Sequence, residues 1–285
     1  MNSTFKNKLK NKEFIRCIEV LPPKDSNITP IIEDLKKIQN QFDVLSIVDN
    51  PRGIVHMSSL ACSYLIQKMD FETIMHVSCT NKNRIEIQSQ ILGAVALEIK
   101  NLLFVTGDHV LSGENQDARP VYDIDSIQAI RIAKNLNNNL NNNLFIGAVA
   151  NQLSGELQIK GIEKKVEAGA EFIMTQPVFD IKKFKEFIEK LKDKDKDKDK
   201  NISLYLIAGL MPLKSIKHAE FINNKIPGIQ IPPEVIERLK NSKNPYQEGI
   251  NIANETIEDV KEIKEISGIN VMGMLDLKTI NKLEI

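Results

Sequence analysis

The stretch LFIGAVANQLSGELQIKGIEKKVEAGAEFIMTQPV, residues 144–178, contains the structural unit that decides the fold. Leu144–Val149 is a short apolar run typical of a buried strand. Gly155–Ala168 follows with apolar residues at helical spacing, and Glu171–Thr175 is a second buried strand. Two buried strands joined by a helix run parallel in one sheet, so this stretch predicts an α/β fold built from strand-helix units.

The same unit recurs along the chain. The eight predicted strands are Phe14–Leu21, Phe42–Val48, Thr73–Cys79, Asn101–Thr106, Leu144–Val149, Glu171–Thr175, Ser203–Gly209 and Gly268–Met274. The predicted helices are Ile28–Gln39, Val55–Lys68, Arg84–Glu98, Ser126–Leu136, Gly155–Ala168, Ile181–Leu191, Lys214–Asn224 and, after an insertion at Pro232–Leu239, Gln247–Ile266. Eight units favour a closed (β/α)8 TIM barrel, which typically takes about 250 residues. An open doubly wound sheet is disfavoured because LPPKDSN, after the first strand, has no glycine-rich phosphate fingerprint.

We therefore predict a single barrel domain over residues 1–285 with two low-complexity insertions. The insertions are NLNNNLNNN at Asn135–Asn143 and KDKDKDKDK at Lys192–Lys200. Each is expected to form a loop between a helix and the following strand. Such loops lie on the barrel face opposite the active site, so we expect both to be solvated and neutral for function.

Composition excludes several classes of protein. Lys plus Arg equals Asp plus Glu at 38 each, so no net charge favours nucleic acid or an anionic membrane. No apolar stretch approaches the roughly 20 residues of a membrane span, and MNSTFKNKLKNKEF has no apolar signal core. Cys17, Cys62 and Cys79 are too few and too scattered for a disulfide framework or a metal site. We expect a cytoplasmic protein that binds small molecules and holds no metal.

Polar residues follow six of the predicted strands at their carboxyl ends, where the active sites of such barrels are built. They are Glu19, Asp49-Asn50, His76, Thr106-Gly107-Asp108, Asn151 and Thr175-Gln176. Glu19 is flanked by Ile18, Val20 and Leu21, and apolar surroundings favour the protonated form of a carboxyl group. That environment suits a general acid. The alternative is a strand-end carboxylate paired with a Lys or an Arg.

The other candidates also have two interpretations each. Asp108 follows a glycine that permits close approach of a ligand, or else it is a turn residue that caps the next element. His76 is either a ligand contact or a satisfied core histidine. The Gln176 amide offers a donor and an acceptor that suit a pterin edge, or it belongs to a turn. Lys165, on the helix before the sixth strand, is by default a solvated lysine. Core positions are expected for the aromatic residues Tyr122, Phe145 and Phe179.

Four segments of the chain resemble the flavin-dependent methylenetetrahydrofolate reductase family. They are IEVLPPKD (residues 18–25), TGDHV (106–110) with the later ARPVYDIDS (118–126), KKVEAGAEFIMTQPVFD (164–180) and LIAGLMPLKSIKHAEFINNKIPGIQIPPEV (206–235). The last two are long and specific, and the resemblance covers nearly the whole chain. It implies reduction of 5,10-methylenetetrahydrofolate to 5-methyltetrahydrofolate. A nicotinamide donor, NADH or NADPH, reduces a bound flavin, which passes a hydride to the methylene carbon.

The resemblance also implies roles for individual residues. Glu19 matches the general acid that protonates the bridging nitrogen on the aminobenzoate side and so promotes ring opening. Asp108 matches an aspartate near both the flavin and the pterin, and Gln176 matches a glutamine that contacts the substrate. The expected cofactor is FAD, with FMN as the alternative. The expected flavin-contacting residues are His76, Thr106, Gly107, Asp108, Asn151 and Lys165.

Departures from the family pattern leave the electron source open. Thr106 stands where the best-known bacterial members have an arginine, and Val48-Asp49-Asn50-Pro51 replaces a Thr-Tyr-Gly-type turn. Such variants are similar to a branch in which a partner protein supplies electrons or a different flavin is bound, and some relatives work without a flavin. Two other hypotheses are a pterin-binding methyltransferase barrel, which needs neither flavin nor an acid at Glu19, and a non-catalytic folate-binding subunit. We also expect a homo-oligomer.

Overall fold

Eight parallel strands close into a barrel in chain order, so the predicted (β/α)8 fold is confirmed. The computed structural model describes residues 4–140, 142–196, 204–226, 228–273 and 276–285. The strands are β1 (Ile15–Val20), β2 (Val44–Ile47), β3 (Thr73–Ser78), β4 (Asn101–Val105), β5 (Phe145–Ala150), β6 (Phe172–Pro177), β7 (Tyr205–Leu210) and β8 (Ile266–Val271). The barrel closes where β8 pairs in parallel with β1.

Helices follow the strands around the outside of the barrel. The bounds are α1 (Thr4–Lys10), α2 (Thr29–Lys37), α3 (Ser59–Gln67), α4 (Arg84–Ala96), α5 (Ser126–Leu140), α6 (Gly155–Ala168), α7 (Ile181–Lys196), α8 (Ile216–Lys225), α9 (Pro233–Asn241), α10 (Pro245–Lys261) and α11 (Leu277–Ile280). The sequence did not predict α1, α9 or α11. The segment interpreted as an insertion at Pro232–Leu239 forms α9, which has proline at its first position, where no backbone donor is needed. Within the described ranges, none of these helices combines the length and apolar character of a membrane crossing.

The low-complexity segments are partly helical, which corrects the predicted loops. Helix α5 continues through Leu140, and α7 continues through Lys196. A helix that is already nucleated extends at little cost, and lysine has good helix propensity. Near the end of α5, the Asn137 side chain bonds both backbone groups of Leu144, at 2.8 and 3.3 Å, and so anchors the chain just before β5. Asn141 and residues 197–200 lie outside the described residues.

One further predicted helix needs a corrected end. The predicted helix Gln247–Ile266 is too long, because α10 ends at Lys261 and β8 begins at Ile266. The predicted ends Ser203 and Met274 lie outside the described residues.

Residues alternate along each strand between the barrel interior and the helical layer. The outward residues Ile18, Leu45, Met75 and Val271 belong to a large core beneath the helices. The lower part of the interior holds a second core, formed by Ile15, Cys17, Val44, Ile74, Leu103, Phe145, Phe172, Met174 and Ile207. Gly147 is needed there because a Cβ atom at its position would lie 2.2 Å from the Phe172 ring.

Helix α1 closes the amino-terminal mouth of the barrel. Phe5 and Leu9 are buried in the interior core, and the Phe5 ring lies 5.3 Å from the rings of both Phe145 and Phe172. The Phe5 N–H donates to the Glu72 carboxylate at 2.7 Å. Phe5 and Leu9 lie four positions apart, one helical turn, so both side chains face the barrel. Ligands therefore approach the barrel at its carboxyl-terminal mouth.

Candidate active site at the carboxyl ends of the strands

A layer of polar side chains lies above the interior apolar core. Ser46, His76 and Asn270 occupy inward positions of β2, β3 and β8 and are buried. The Ser46 Oγ and His76 Nε2 atoms are 2.6 Å apart. Burial lowers the pKa of His76 to about 4, since a charged imidazolium loses its hydration there. The ring is therefore neutral and hydrogen-bonded, which agrees with the satisfied core histidine; a flavin contact stays a prediction.

Asn270 is a candidate that sequence reasoning missed. It lies between the outward residues Ile269 and Val271, so its side chain faces the barrel interior, and it is 3% exposed. Its side-chain oxygen has no hydrogen-bond partner in the described part of the chain. A buried amide oxygen without a donor costs about 1–3 kcal/mol, so a water or a ligand donor is expected there. The available signal was an amide at an inward position of the apolar run SGINVM.

Glu19 is the next inward residue above Cys17, at the carboxyl end of β1. It is partly buried at the open end of the barrel. Burial raises the pKa of Glu19 to about 7, and the nearby backbone N–H of Gly273, which favours the carboxylate, only partly opposes the rise. Among the described residues, no Lys or Arg pairs with it. The environment therefore favours the protonated form, as the sequence predicted, and both protonation states are populated near neutral pH.

The raised pKa of Glu19 predicts a pH-dependent stability. Between its unfolded pKa of 4.5 and its folded pKa of about 7, the folded protein binds more protons than the unfolded chain. The free energy of unfolding should therefore fall as pH rises through this window. Glu19→Gln should remove this contribution and be more stable than the parent at pH 8 by up to about 3 kcal/mol.

Urea unfolding of both proteins between pH 5 and pH 8 measures this difference. Glu13→Gln, at an exposed position before β1, is the matched control and should show a constant difference. A Glu19→Gln difference that does not change with pH would contradict the assigned burial.

The loop after β4 carries Thr106, Gly107 and Asp108. Gly107 has φ +89°, and a Cβ atom there would lie 2.0 Å from Ser78 Oγ, so the position requires glycine. Asp108 is exposed, and its carboxylate accepts the Arg52 N–H at 2.5 Å. His109, rather than Asp108, caps the short turn that follows. The capping alternative for Asp108 is therefore wrong, and its carboxylate instead tethers the loop after β2.

Gln176 lies at a bulge near the carboxyl end of β6. The register of β6 with β7 shifts between Met174 and Pro177. The Thr175 Oγ1 atom spans the bulge by accepting the Gly209 N–H at 3.0 Å and donating to the Gln176 carbonyl at 2.9 Å. Gln176 therefore belongs to an irregular strand end rather than to a turn.

Asn151 follows β5 and caps the next short turn. Its side-chain oxygen accepts the Leu153 N–H at 3.0 Å. This contact is structural, and a cofactor contact by Asn151 stays a prediction.

Lys165 is not the solvated lysine of the default interpretation. It lies on α6, is half-buried, and donates from Nζ to the Val149 carbonyl at 2.7 Å. Burial lowers the pKa of its ammonium group, and the negative charge of Asp125 opposes this. The structure thus places this ammonium beside a backbone carbonyl of β5, and its proposed contact with a flavin stays a prediction.

Apolar side chains are exposed on the loops around the mouth and on the first turn of α6. They include Val55, Leu111, Val121, Tyr122, Leu153 and Leu157. The prediction of a core position for Tyr122 is wrong, because its side chain is 57% exposed, whereas Phe145 is buried as expected. The N–H groups of Val121 and Tyr122 both donate to the Thr80 carbonyl, which holds this segment across the loop after β3. Exposed apolar groups beside polar strand ends suit a flat, largely apolar ligand.

The family model for methylenetetrahydrofolate reductase matches residues 4–284. The chain belongs to this family. The match covers the four segments on which the sequence resemblance rested, and that expectation is confirmed.

Individual relatives of this family are distant. A probable methylenetetrahydrofolate reductase (NADPH) of Caenorhabditis elegans is 22% identical over 249 residues, 82% of this chain and 35% of the relative. Methylenetetrahydrofolate reductase 2 of Schizosaccharomyces pombe is 25% identical over 272 residues, 89% of this chain and 41% of the relative. The chain thus spans about two fifths or less of the length of these two enzymes.

A solved structure shares the fold over nearly its full length. An uncharacterized protein from Clostridium thermocellum that binds two copies of 5-methyl-5,6,7,8-tetrahydrofolic acid superposes with a TM-score of 0.72. The alignment covers 97% of this chain and 95% of that protein at 18% identity. At this identity the likeness supports the barrel fold alone.

Proposed function

We propose that this member of the methylenetetrahydrofolate reductase family reduces 5,10-methylenetetrahydrofolate to 5-methyltetrahydrofolate. The observation that carries the proposal is Glu19, a carboxyl group at the open mouth of the barrel whose burial raises its pKa to about 7. A general acid works best when its pKa lies near the working pH. The names of the relatives and the folate bound by the Clostridium thermocellum protein support the same substrate class.

Glu19 would supply the proton that this reaction needs. Once the proton is given up, the nearby Gly273 backbone N–H stabilises the carboxylate that remains. Proton delivery to the bridging nitrogen on the aminobenzoate side breaks the methylene bridge there and leaves an electrophilic carbon. Because the group is near half-protonated at neutral pH, it can give up a proton and regain one in each cycle.

Two amide side chains would orient the pterin. Gln176 and Asn270 lie on opposite sides of β7, at the ends of β6 and β8. The unpartnered Asn270 oxygen needs a hydrogen-bond donor, and pterin edges carry N–H groups. A polar group that is satisfied only by the ligand adds specificity, because a ligand that lacks the donor leaves it unpaired.

The residues of the mouth also fit a flavin, and we propose FAD, with FMN as the alternative. When bound and reduced, the flavin would supply the hydride for the methylene carbon. Exposed apolar side chains on the loops after β4 and β5, such as Leu111, Tyr122 and Leu153, can cover a planar ring system. Thr106, Gly107 and Asn151 lie on the same two loops, and the neutral His76 is buried on β3. The electron donor is NADH, NADPH or a partner protein. A homo-oligomeric state and a cytoplasmic location stay predictions.

Reconstitution tests the proposed function. The purified protein is incubated with FAD or FMN, and the retained flavin is released by heat and identified by mass. Methylenetetrahydrofolate is then supplied with NADH, NADPH or reduced ferredoxin, and 5-methyltetrahydrofolate is quantified chromatographically. Flavin retention with product formation is expected. A colourless protein that binds 5-methyltetrahydrofolate without turnover would favour the methyltransferase or the non-catalytic folate-binding hypothesis instead.

Asp108→Asn is expected to raise the midpoint potential of the bound flavin. The substitution removes a negative charge but keeps an oxygen that can accept the Arg52 N–H. A nearby anion disfavours added electron density, so its removal makes reduction easier. Spectroscopic redox titration measures the potential, and Asp117→Asn, exposed in the same loop, is the matched control. Equal potentials in the parent and the Asp108 variant would exclude a position of Asp108 next to the flavin.

A further inference from the structure

A buried ion pair joins the loops after β2 and β3. Asp49 and Lys82 have side-chain exposures of 4% and 9%, and their Oδ2 and Nζ atoms are 2.5 Å apart. Asp49 also accepts the Ser78 N–H at 2.9 Å and an amide N–H of Asn50 at 3.2 Å, while Lys82 donates to the Ser78 carbonyl at 3.1 Å. Buried charges are costly unless such bonds satisfy them. Because its carboxylate already accepts three donors, Asp49 is engaged with protein groups rather than with ligand.

The loop after β3 in turn fixes the backbone just before Asp108. Ser78 Oγ occupies the space beside Gly107 that a side chain would fill. The Thr80 hydroxyl donates to the Thr106 carbonyl at 2.6 Å and approaches the Gly107 carbonyl at 3.2 Å. Ser78 and Thr80 are both buried. A shift of this loop would therefore move the Thr106–Asp108 segment with it.

A third set of contacts joins the loop after β4 to the loop after β2. The Asp108 carboxylate accepts the N–H of Arg52, which lies three residues after Asp49 on the loop after β2. The same loop packs backbone to backbone on the segment after Asp108, since a Cβ atom on Gly53 would lie 2.9 Å from the Val110 carbonyl. The loops after β2, β3 and β4 thus form one ring of contacts, which we call the loop ring. Asp108 lies on its exposed side and Asp49 with Lys82 on its buried side.

We propose that Asp49 and Lys82 form a positioning pair for Asp108. The pair fixes the backbone of Ser78 through two hydrogen bonds. Ser78 and Thr80 then fix the backbone at Gly107, and the Arg52 N–H fixes the Asp108 carboxylate. The inference rests on the proposed function and on the role that the family resemblance gives Asp108, next to both the flavin and the pterin. It also explains the unusual residue after β2: Asp49 organises the site from within the protein and does not contact the nicotinamide. A merely structural pair would stabilise the fold without any specific coupling to Asp108.

A double-mutant cycle distinguishes these roles, with 5-methyltetrahydrofolate as the probe and calorimetry to measure its dissociation constant. Lys82→Met leaves a buried carboxylate unpaired, and we expect affinity to fall about 10-fold. In the Asp108→Asn background, the same change should cost less than about 3-fold, because the group being positioned is already altered. Lys82→Arg, which keeps the charge, should restore affinity to within about 3-fold of the parent.

Thr80→Val provides a milder break if Lys82→Met does not fold. It keeps the shape of the side chain but removes its bonds to the carbonyls of Thr106 and Gly107. We expect the same pattern, a loss of affinity that is absent in the Asp108→Asn background. Equal losses in both backgrounds, or folded variants with parental affinity, would overturn the positioning role alone. A parent protein that binds no 5-methyltetrahydrofolate would overturn the proposed function, and this inference with it.

Discussion

Replacing Glu19 with glutamine is expected to lower the rate of methylenetetrahydrofolate reduction by about 10²–10⁴-fold. Glutamine keeps the shape of the protonated carboxylic acid and an oxygen that can accept the Gly273 N–H, but it has no proton to give. Binding of 5-methyltetrahydrofolate should change little, because the product needs no further protonation. Electron uptake from the donor by the folate-free enzyme should also continue at close to the parental rate.

Rapid mixing can measure electron uptake and folate reduction separately. The parental rate of folate reduction should decline as pH rises above about 7, the pKa of Glu19, whereas the variant should lack this decline. Glu114→Gln, at an exposed carboxylate paired with Lys24, is the matched control. If both steps slowed together, Glu19 would have a structural role. If neither slowed, the acid would lie elsewhere on the mouth.

The second large effect is expected at the other end of the barrel. Phe5→Ala should lower the free energy of unfolding by about 3–5 kcal/mol, the usual cost of removing a fully buried phenylalanine. Phe5 is 0% exposed, and its ring makes edge contacts with Phe145 and Phe172. Alanine would lose this buried area and leave a cavity between rigid strands, which cannot collapse to fill it.

Urea unfolding followed by circular dichroism measures the change. Phe221→Ala is the matched control, because Phe221 is 45% exposed on α8, and it should cost less than about 1 kcal/mol. A similar small cost at Phe5 would mean that α1 does not seal the barrel in solution.

The sequence predicted the barrel because each strand is a separate apolar run and because each main helix has apolar residues at helical spacing. Helix α1 was missed although Phe5 and Leu9 stand four positions apart. Only two apolar residues occur in this segment, which is otherwise rich in lysine and asparagine and so resembles a solvated segment. Helix α9 was missed because the segment Pro232–Leu239 was interpreted as an insertion, whereas its proline stands at the first helical position, where proline is favourable.

For the site, sequence position was informative where a residue ends a strand. Glu19 and Asp108 could be placed at the mouth because all parallel strands of a barrel end on the same face. Partners that are distant in sequence could not be predicted. The contact of Lys165 with the Val149 carbonyl and the pairing of Asp49 with Lys82 depend on how neighbouring units pack, which no local pattern records.

Helix α1, which closes the amino-terminal mouth of the barrel, also constrains the order of events during synthesis. Its Lys6 side chain pairs with Glu171, 165 positions later in the chain, and its Phe5 ring needs Phe172. At ribosomal speeds of about 5–20 residues per second, the first helix must therefore wait on the order of 10–30 s before its partners exist. During that time its apolar face is available to chaperones, and the amino-terminal mouth of the incomplete barrel is open. Closing so long a loop is slow, so the docking of α1 is expected to be among the last steps of folding.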